Sequence, residues 1–339
     1  MGNATCKFKI STLNLFNFVD PPNAYYDFEN IYTAQQWQKK LTWIAHYLAS
    51  EQPDIIAFQE VFSIDVLKRL LADCGYEYVC VVDEPTVVDE FIYRDPVVAL
   101  ASKHPITQTT RIDSHAEILP VLSLPSDFAF SRVPLLATVN LPQFGELDLF
   151  VIHFKSQRGT LSTEEITNKD MSATEMFALE AASKWAAAQQ RGAEATLLRY
   201  AIASRRAKTQ NPCAVLGDFN DSLHNGVLST LVSQDSRLKT QLSPNEFIQY
   251  SLHDAYQLFE ANHYARSAID RPATHYHLNK GNVLDYILLS AEFNSQNDQS
   301  LAEVISYQTF DQHLTSPQYD RDSHSSDHAA VSVTCRIRS

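Results

Sequence analysis

Eight polar residues interrupt the sequence where apolar runs end. STLNLF carries Asn14, AFQE carries Glu60, LFVIHFKS carries His153, VLGDFND carries Asp218 and Asn220, VLDYILLS carries Asp285, and SSDHAAVSV carries Asp327 and His328. Carboxylates, amides and imidazoles are costly to bury without partners, and strand ends are where sheet proteins place functional sites. Each also has a bland reading. Asn14 suits a strand-end hydrogen bonder, Glu60 a cap for a helix beginning near Ser63, Asp285 a structural carboxylate, His153 a core histidine, and GDFND a turn. The adjacent pair Asp327–His328, opening an apolar strand after the polar loop DRDSHSS, is harder to explain that way.

The elements that must position these residues are legible as patterns. Runs rich in β-branched and aromatic residues predict strands over 8–16, 54–61, 76–83, 96–102, 135–141, 147–154, 213–219, 283–290 and 329–337. Helical spacing of Trp37, Leu41, Ile44, Ala45 and Leu48 predicts a helix over 33–52, stopped by Pro53. A second helix is expected over 63–76, ended by Gly75, and a long alanine-rich one over 172–208, with a break or offset at Gly192. The second half of the long helix is basic, with Lys184, Arg191, Arg199, Arg205, Arg206 and Lys208. Two readings stand for it, a solvated face, which is favoured, and a patch near an anionic substrate. Without repeats, low-complexity tracts or linkers, one domain is the economical reading, with layered α/β architecture and mixed or mostly antiparallel sheets.

Composition narrows the classes. The 339 residues are 45% hydrophobic and 20% charged, ordinary for a globular chain. No stretch approaches the ~20 apolar residues that span a bilayer. The opening lacks a secretory signal pattern, so the chain as written reads as cytoplasmic, or as secreted or periplasmic if a leader has been removed. Cys6 also breaks the myristoylation pattern. Five cysteines with no CxxC pair argue against a disulfide framework and a zinc cluster. A net charge of −13 disfavours tight non-specific binding of a polyanion over the whole surface. The phosphate cradles GxGxxG and GxxxxGK[ST] are absent.

Taken in order, Asn on a first strand, QE, a strand-borne His, GDFN, LDYILLS and SDH resemble the motif set of the endonuclease/exonuclease/phosphatase superfamily, and the match runs from residue 14 to 328. The resemblance implies a four-layered α/β sandwich, two mixed, mostly antiparallel sheets face to face with helices outside. It implies that Glu60, Asn14 and Asp327 hold Mg²⁺ or Mn²⁺, since hard oxygen donors suit those ions. It gives Asp218 the attacking water and Asn220 the phosphate or that water. His328 would meet the scissile phosphate, held by Asp285, and His153 would be a second phosphate-contacting imidazole, as in the deoxyribonuclease-like branch. Arg132 resembles a phosphate-binding arginine, a plain surface arginine being the other reading. Lys155, Ser156 and Arg158 would extend the phosphate surface or merely solubilise. A helical insertion at about 157–211 is similar to one in bacterial nuclease-like members, and its basic half would guide a strand toward the site.

Departures weigh against neighbouring branches. Phe16 stands where some abasic-site endonucleases have Asp, Leu284 precedes the LDY aspartate where Arg is common, and NKGNVLDY replaces the inositol-phosphatase PAWCDR-like segment. The expectation is a metal-dependent phosphodiesterase, a nuclease of low sequence specificity acting on nucleic acid, with no membrane span and no obligate protein partner evident. The alternatives are a phosphatase or phosphodiesterase for a small or lipid-linked phosphoester, and a catalytically silent binding module.

Overall fold

Alternation of apolar residues on the strands decides the layering. The computed structural model describes residues 6–167, 171–224, 226–232, 240–262 and 270–338; the opening five residues and 168–170 of the expected insertion lie outside them. Twelve strands build two sheets: β1 Lys7–Phe18, β2 Ile55–Val61, β3 Tyr78–Cys80, β4 Val97–Ser102, β5 Ile106–Arg111, β6 Leu135–Leu141, β7 Gly145–His153, β8 Cys213–Asp218, β9 Leu252–Asp254, β10 Asp285–Ser290, β11 Ala302–Phe310 and β12 Ala330–Ile337. The first sheet runs β11-β12-β1-β2-β4-β3 and the second β9-β10-β8-β7-β6-β5. Each has a single parallel pair, β1 with β2 and β7 with β8, among antiparallel neighbours.

Successive side chains of a strand point to opposite faces. Phe8 and Ile10 of β1, Leu147, Leu149 and Val151 of β7, Ala214 and Leu216 of β8, and Ile287 and Leu289 of β10 fill one core between the sheets. The outer face of the first sheet carries Leu13, Leu15, Ile56 and Phe58 against Trp37, Trp43, Ile44 and Tyr47 of α1, Ala34–Glu51, and Leu67 and Leu71 of α2, Ile64–Asp73. The outer face of the second carries Phe150, Ile152 and Val215 against Leu197, Leu198 and Ile202 of α3, Ala173–Thr209. Helix, sheet, sheet and helix are the four layers expected. At ~1.5–3 kcal/mol per fully buried large apolar side chain, these cores can offset polar groups buried at their rim.

Local sequence explains the helix limits. Thr33 and Ser172 cap α1 and α3 with reciprocal boxes through Gln36 and Glu175, and Gln52 ends α1 in a left-handed conformation (φ 46°) just before Pro53. Two expectations for α3 are corrected. The helix runs unbroken through Gly192, whose missing side chain lets Val227 approach; a Cβ there would meet Val227 Cγ1 at 2.8 Å. Its basic half is not the solvated face expected. Arg191 pairs with Asp221 at 2.8 Å, Arg205 with Asp148 at 2.7 Å and Arg206 with Glu292 at 2.6 Å. Arg191 and Arg206 are buried, Arg199 and Arg205 are half-buried, and Lys184 and Lys208 are exposed. Packing of this half on the outer sheet face brings three guanidinium groups against carboxylates, while Arg199 is half-buried with its Nη1 sealed from solvent and without a hydrogen-bond partner.

The strand expected over 76–83 contracts to β3, and β5, β9 and β11 were not anticipated. β5 is exposed along nearly its whole length and β11 is mixed in burial, so they carry little hydrophobic signal, and β9 is only three residues long.

Candidate active site

The same alternation carries polar side chains into one cleft. Next on the inward stripes after Leu147-x-Leu-x-Val comes His153, after Ala214-x-Leu comes Asp218, and before Ile287-x-Leu stands Asp285. Register pairs His153 with Asp218 and Asp218 with Asp285. On β1, Asn14 follows Phe8, Ile10 and Thr12 on the same face. The carboxyl ends of β1, β2, β7 and β8 and the amino ends of the antiparallel β10 and β12 share one rim.

Backbone conformation is specialised there. Phe16, Asn17, Glu60 and Asn220 all have left-handed φ, between 51° and 59°, at a cost of roughly 1–3 kcal/mol each for non-glycine residues. Strict alternation would aim Gln59 into the cleft and Glu60 away. Register shifts in β1 and β2 instead re-aim Glu60, whose carboxylate accepts from Asn14 Nδ2 at 3.2 Å and from the Asn17 N–H at 2.9 Å. Glu60 therefore does not cap α2, whose Ser63 cap makes no side-chain bond to the helix. Gly217 (φ +145°) sits so close to β7 that a Cβ would meet the Ile152 carbonyl oxygen at 2.0 Å, so only glycine allows this seating of Asp218.

Asp218 is the hub. It accepts from Asn14 Nδ2 at 3.2 Å, the Asn220 N–H at 2.8 Å and Asn220 Nδ2 at 3.2 Å. His153 Nε2 is 3.5 Å and His328 Nε2 3.9 Å from its Oδ2. Burial pushes the Asp218 carboxyl up to about 7, Asp285 and Glu60 adding to the rise while His328 and the Asn220 N–H oppose it. Burial also disfavours charge on His328, but Asp285 and Asp218 outweigh it and hold that imidazole well above its ordinary range. Asp285 meets His328 Nδ1 at 2.8 Å. His153 is held well below its ordinary range by burial and by Arg132, His328 and Lys155, so beside Asp218 it is a neutral ring rather than half of an ion pair.

The cleft has a volume of about 440 Å³ and is lined by Glu60, Arg132, His153, Ser156, Asp218, Asn220, Asp327 and His328, with Asn14 and Asp285 buried just behind. Lys155 does not line it. Its Nζ turns onto Ser156 Oγ at 3.3 Å and the Arg158 carbonyl at 3.0 Å, while Arg158 itself reaches the cleft. Arg132 spans from the cleft to the Phe154 carbonyl at 3.5 Å.

Glu60 and Asp327 offer hard carboxylate oxygens that fit a divalent cation, and Asn14 an amide oxygen that also accepts the Phe16 N–H at 2.9 Å while its Nδ2 faces Glu60. Asp327 Oδ1 is sealed from solvent without a hydrogen-bond partner, a state that is costly for a carboxylate unless a cation meets it.

Several supporting residues were missed from the sequence. Thr274 Oγ1 accepts the Leu284 and Asp285 N–H groups at 2.9 and 3.1 Å, and Ser326 Oγ donates to the Asn14 carbonyl at 2.6 Å while accepting the His328 N–H at 3.0 Å. Gln157 Nε2 donates to the Asn220 carbonyl at 2.9 Å. Lys40 is buried in α1 and donates to the Ser325 carbonyl at 2.8 Å, anchoring the loop that bears Asp327 and His328. Burial pushes its amine down to about 7, against the pull of Asp327 and Glu60. Its signal was available, a single lysine on the apolar stripe of Trp37, Ile44 and Tyr47.

The profile of the Endonuclease/Exonuclease/phosphatase family matches residues 12–328. Sequence comparison with curated proteins finds no match. Among solved structures, the human Nocturnin catalytic domain with bound sulfate is similar over 98% of this chain and 95% of its own, at TM-score 0.59 and 16% identity. A humanized D. rerio TDP2 aligns over 97% of this chain and 99% of its own (TM-score 0.55, 12% identity), and an endonuclease/exonuclease/phosphatase family protein from Bacteroides thetaiotaomicron over 98% and 99% (0.55, 15%). At these identities the likeness speaks for the fold.

Proposed function

The chain belongs to the endonuclease/exonuclease/phosphatase family, and from that premise we propose that it is a divalent-metal-dependent phosphodiester hydrolase, a nuclease of low sequence specificity. Members of the family are in general phosphoesterase hydrolases. We read the whole chain as one catalytic domain with 157–211 as its helical insertion. The observation that carries the reading is the buried line Asp285, His328, Asp218, with 2.8 Å between the first two and 3.9 Å between the last two. It sets a charged imidazole and a proton-accepting carboxyl side by side on the wall of the cleft, an acid and a base whose pairing a purely structural cluster has no need to maintain.

Glu60, Asn14 and Asp327 would hold Mg²⁺ or Mn²⁺, which when bound supplies positive charge against the phosphate oxygens and favours ionised groups beside it. Asp218, with its carboxyl near 7, is a base matched to neutral pH and takes the proton of the attacking water. Asn220 fixes both oxygens of Asp218 through its N–H and its amide. His328 faces the phosphate through Nε2, Nδ1 being engaged by Asp285. As the water oxygen bonds to phosphorus and the bond to the leaving oxygen breaks, His328 stabilises the departing charge and can give that oxygen its Nε2 proton. Neutral His153 donates to a phosphate oxygen, Arg132 and Ser156 bind flanking phosphate, and Lys155 adds only its field.

No base-reading element lines the cleft among the described residues, which favours low specificity. The net charge of −13 supports a second reading, hydrolysis of a small or lipid-linked phosphoester. The test is cleavage of supercoiled plasmid, single-stranded DNA, RNA and a small bis-phosphoester with Mg²⁺ or Mn²⁺, using the intact chain, Asp218→Ala and His328→Ala. Nicking abolished by both substitutions supports the nuclease; cleavage of the small ester alone moves the substrate; no cleavage with any metal favours a silent binding module.

A further inference from the structure

A hairpin of His275–His277 and Lys280–Asn282 walls one side of the cleft and sets a residue against the catalytic imidazole that the hydrolysis above does not use. His275 makes an isolated backbone bridge to His328, and the two rings lie 4.9 Å apart at 42°. A nitrogen of His275, a nitrogen of His328 and an oxygen of Asp327 all lie within 4.8 Å of one another. We propose that His275, Asp327 and His328 form a second cation site, for a zinc-like divalent ion, whose occupancy arrests the hydrolase.

The donor set points to a zinc-like rather than a hard ion, and the geometry around it suits coordination. Two imidazoles and one carboxylate suit zinc, copper or nickel, whereas Mg²⁺ prefers oxygen. His328 already has the second-sphere arrangement of a metal-ligating histidine. Its Nδ1 is engaged by the Asp285 carboxylate at 2.8 Å, which fixes the ring and leaves Nε2 as the outward ligand. Nε2 lies 4.0 Å from Asp327 Oδ1, the buried oxygen with no hydrogen-bond partner. Tetrahedral zinc at ~2.0–2.1 Å from each ligand spaces neighbouring donors by about 3.4 Å. Closing from the present separations needs shifts of about an ångström or less, within reach of side-chain rotation for the half-buried His275 and for Asp327, whose side chain is 41% exposed.

The arrest follows from which atom is taken. Coordination occupies Nε2 of His328, the one ring nitrogen that Asp285 leaves outward, so it can no longer face phosphate or protonate a leaving oxygen. The same ion draws Asp327 away from the oxygen set of Asn14 and Glu60. Binding is independent of the catalytic reading, while arrest rests on it.

The test uses the full chain in saturating Mg²⁺. Zinc affinity is measured by competition with a chromophoric chelator for wild type, His275→Ala and His275→Asn, each checked for native circular dichroism. The expected result is one site per chain and at least tenfold weaker binding in the variants. Inhibition, read as the ratio of rates with and without zinc so that any change in basal rate cancels, should need at least tenfold more zinc in the variants. Equal zinc affinity in wild type and a folded variant overturns the site. Weakened binding with unchanged inhibition overturns the arrest. If no ester is hydrolysed at all, the functional reading fails while the chelator competition still decides the site.

Discussion

Replacing Asp218 by asparagine in the metal-free protein should reveal the energetic cost of the catalytic carboxyl as a pH-dependent stability difference. The native carboxyl titrates at about 7, burial being the main cause, against 3.8 for its ordinary value. Below pH 3.8 it is protonated in both folded and unfolded chains and carries no differential. Between there and about 7 the unfolded chain is ionised while the native group still holds its proton, so wild-type stability falls by ~1.4 kcal/mol per pH unit; above about 7 the loss is complete. From about pH 5 to about pH 8 the variant should therefore gain at most about 3 kcal/mol on wild type, nearly all of it before pH 7. Asparagine turns an amide donor toward Asn14 Nδ2 in place of an acceptor, but that penalty does not titrate and cancels between pH values. His328 retains Asp285 at 2.8 Å and with it a strong reason to stay charged through the window. Urea unfolding of both proteins in EDTA, followed by circular dichroism at four pH values, measures the difference. Adding Mg²⁺ should shrink the slope, since a cation near Glu60 favours the carboxylate. A difference that does not change with pH, or one in which the variant loses ground as pH rises, would refute the placement of Asp218 as a desolvated base.

Three further outcomes are expected. His328→Gln should lower kcat by about 10²–10⁴, and Asp285→Asn by less because the ring survives; the double variant should be no worse than His328→Gln alone, and additive losses would show that the two act separately. Glu60→Gln keeps the shape but removes the charge and leaves one acceptor oxygen where Asn14 Nδ2 and the Asn17 N–H each meet a separate carboxylate oxygen, so the Mg²⁺ or Mn²⁺ concentration for half-maximal rate should rise about tenfold or more, and an unchanged midpoint would place the ion elsewhere. Arg206→Ala should destabilise the fold by about 3–5 kcal/mol, as removal of one partner of a buried pair does, and leave the salt dependence of hydrolysis as in wild type. A shifted salt dependence with intact stability would return the basic half of α3 to the path of the substrate.

How far such a site can be read before the fold is known depends on whether the backbone keeps its period. His153, Asp218 and Asp285 were legible because each continues an inward apolar stripe by one step, and the strands around them are regular enough to deliver what alternation promises. Glu60 is the informative exception. Alternation along Ile55, Ala57 and Gln59 selects Gln59, and only the left-handed turns at Phe16, Asn17 and Glu60 reverse the choice. Nothing in the residue types Phe, Asn and Glu demands positive φ, so that inversion came from the family motif and not from the pattern. Positions that hold the site through hydrogen bonds, such as Thr274 and Ser326, were illegible for a different reason. A hydroxyl advertises no partner, whether that partner stands ten or eleven residues on, as for Thr274, or 312 residues away, as for the bond from Ser326 to Asn14. The arginines of α3 failed in the opposite direction. Charge along a helix was read as exposure, whereas Asp148, Asp221 and Glu292 stand on other elements and become their partners only once the chain has folded. Local period thus locates a site to within one residue of each strand end; which neighbour faces inward, and which charges are spent inside, is decided by tertiary partners that no window along the sequence contains.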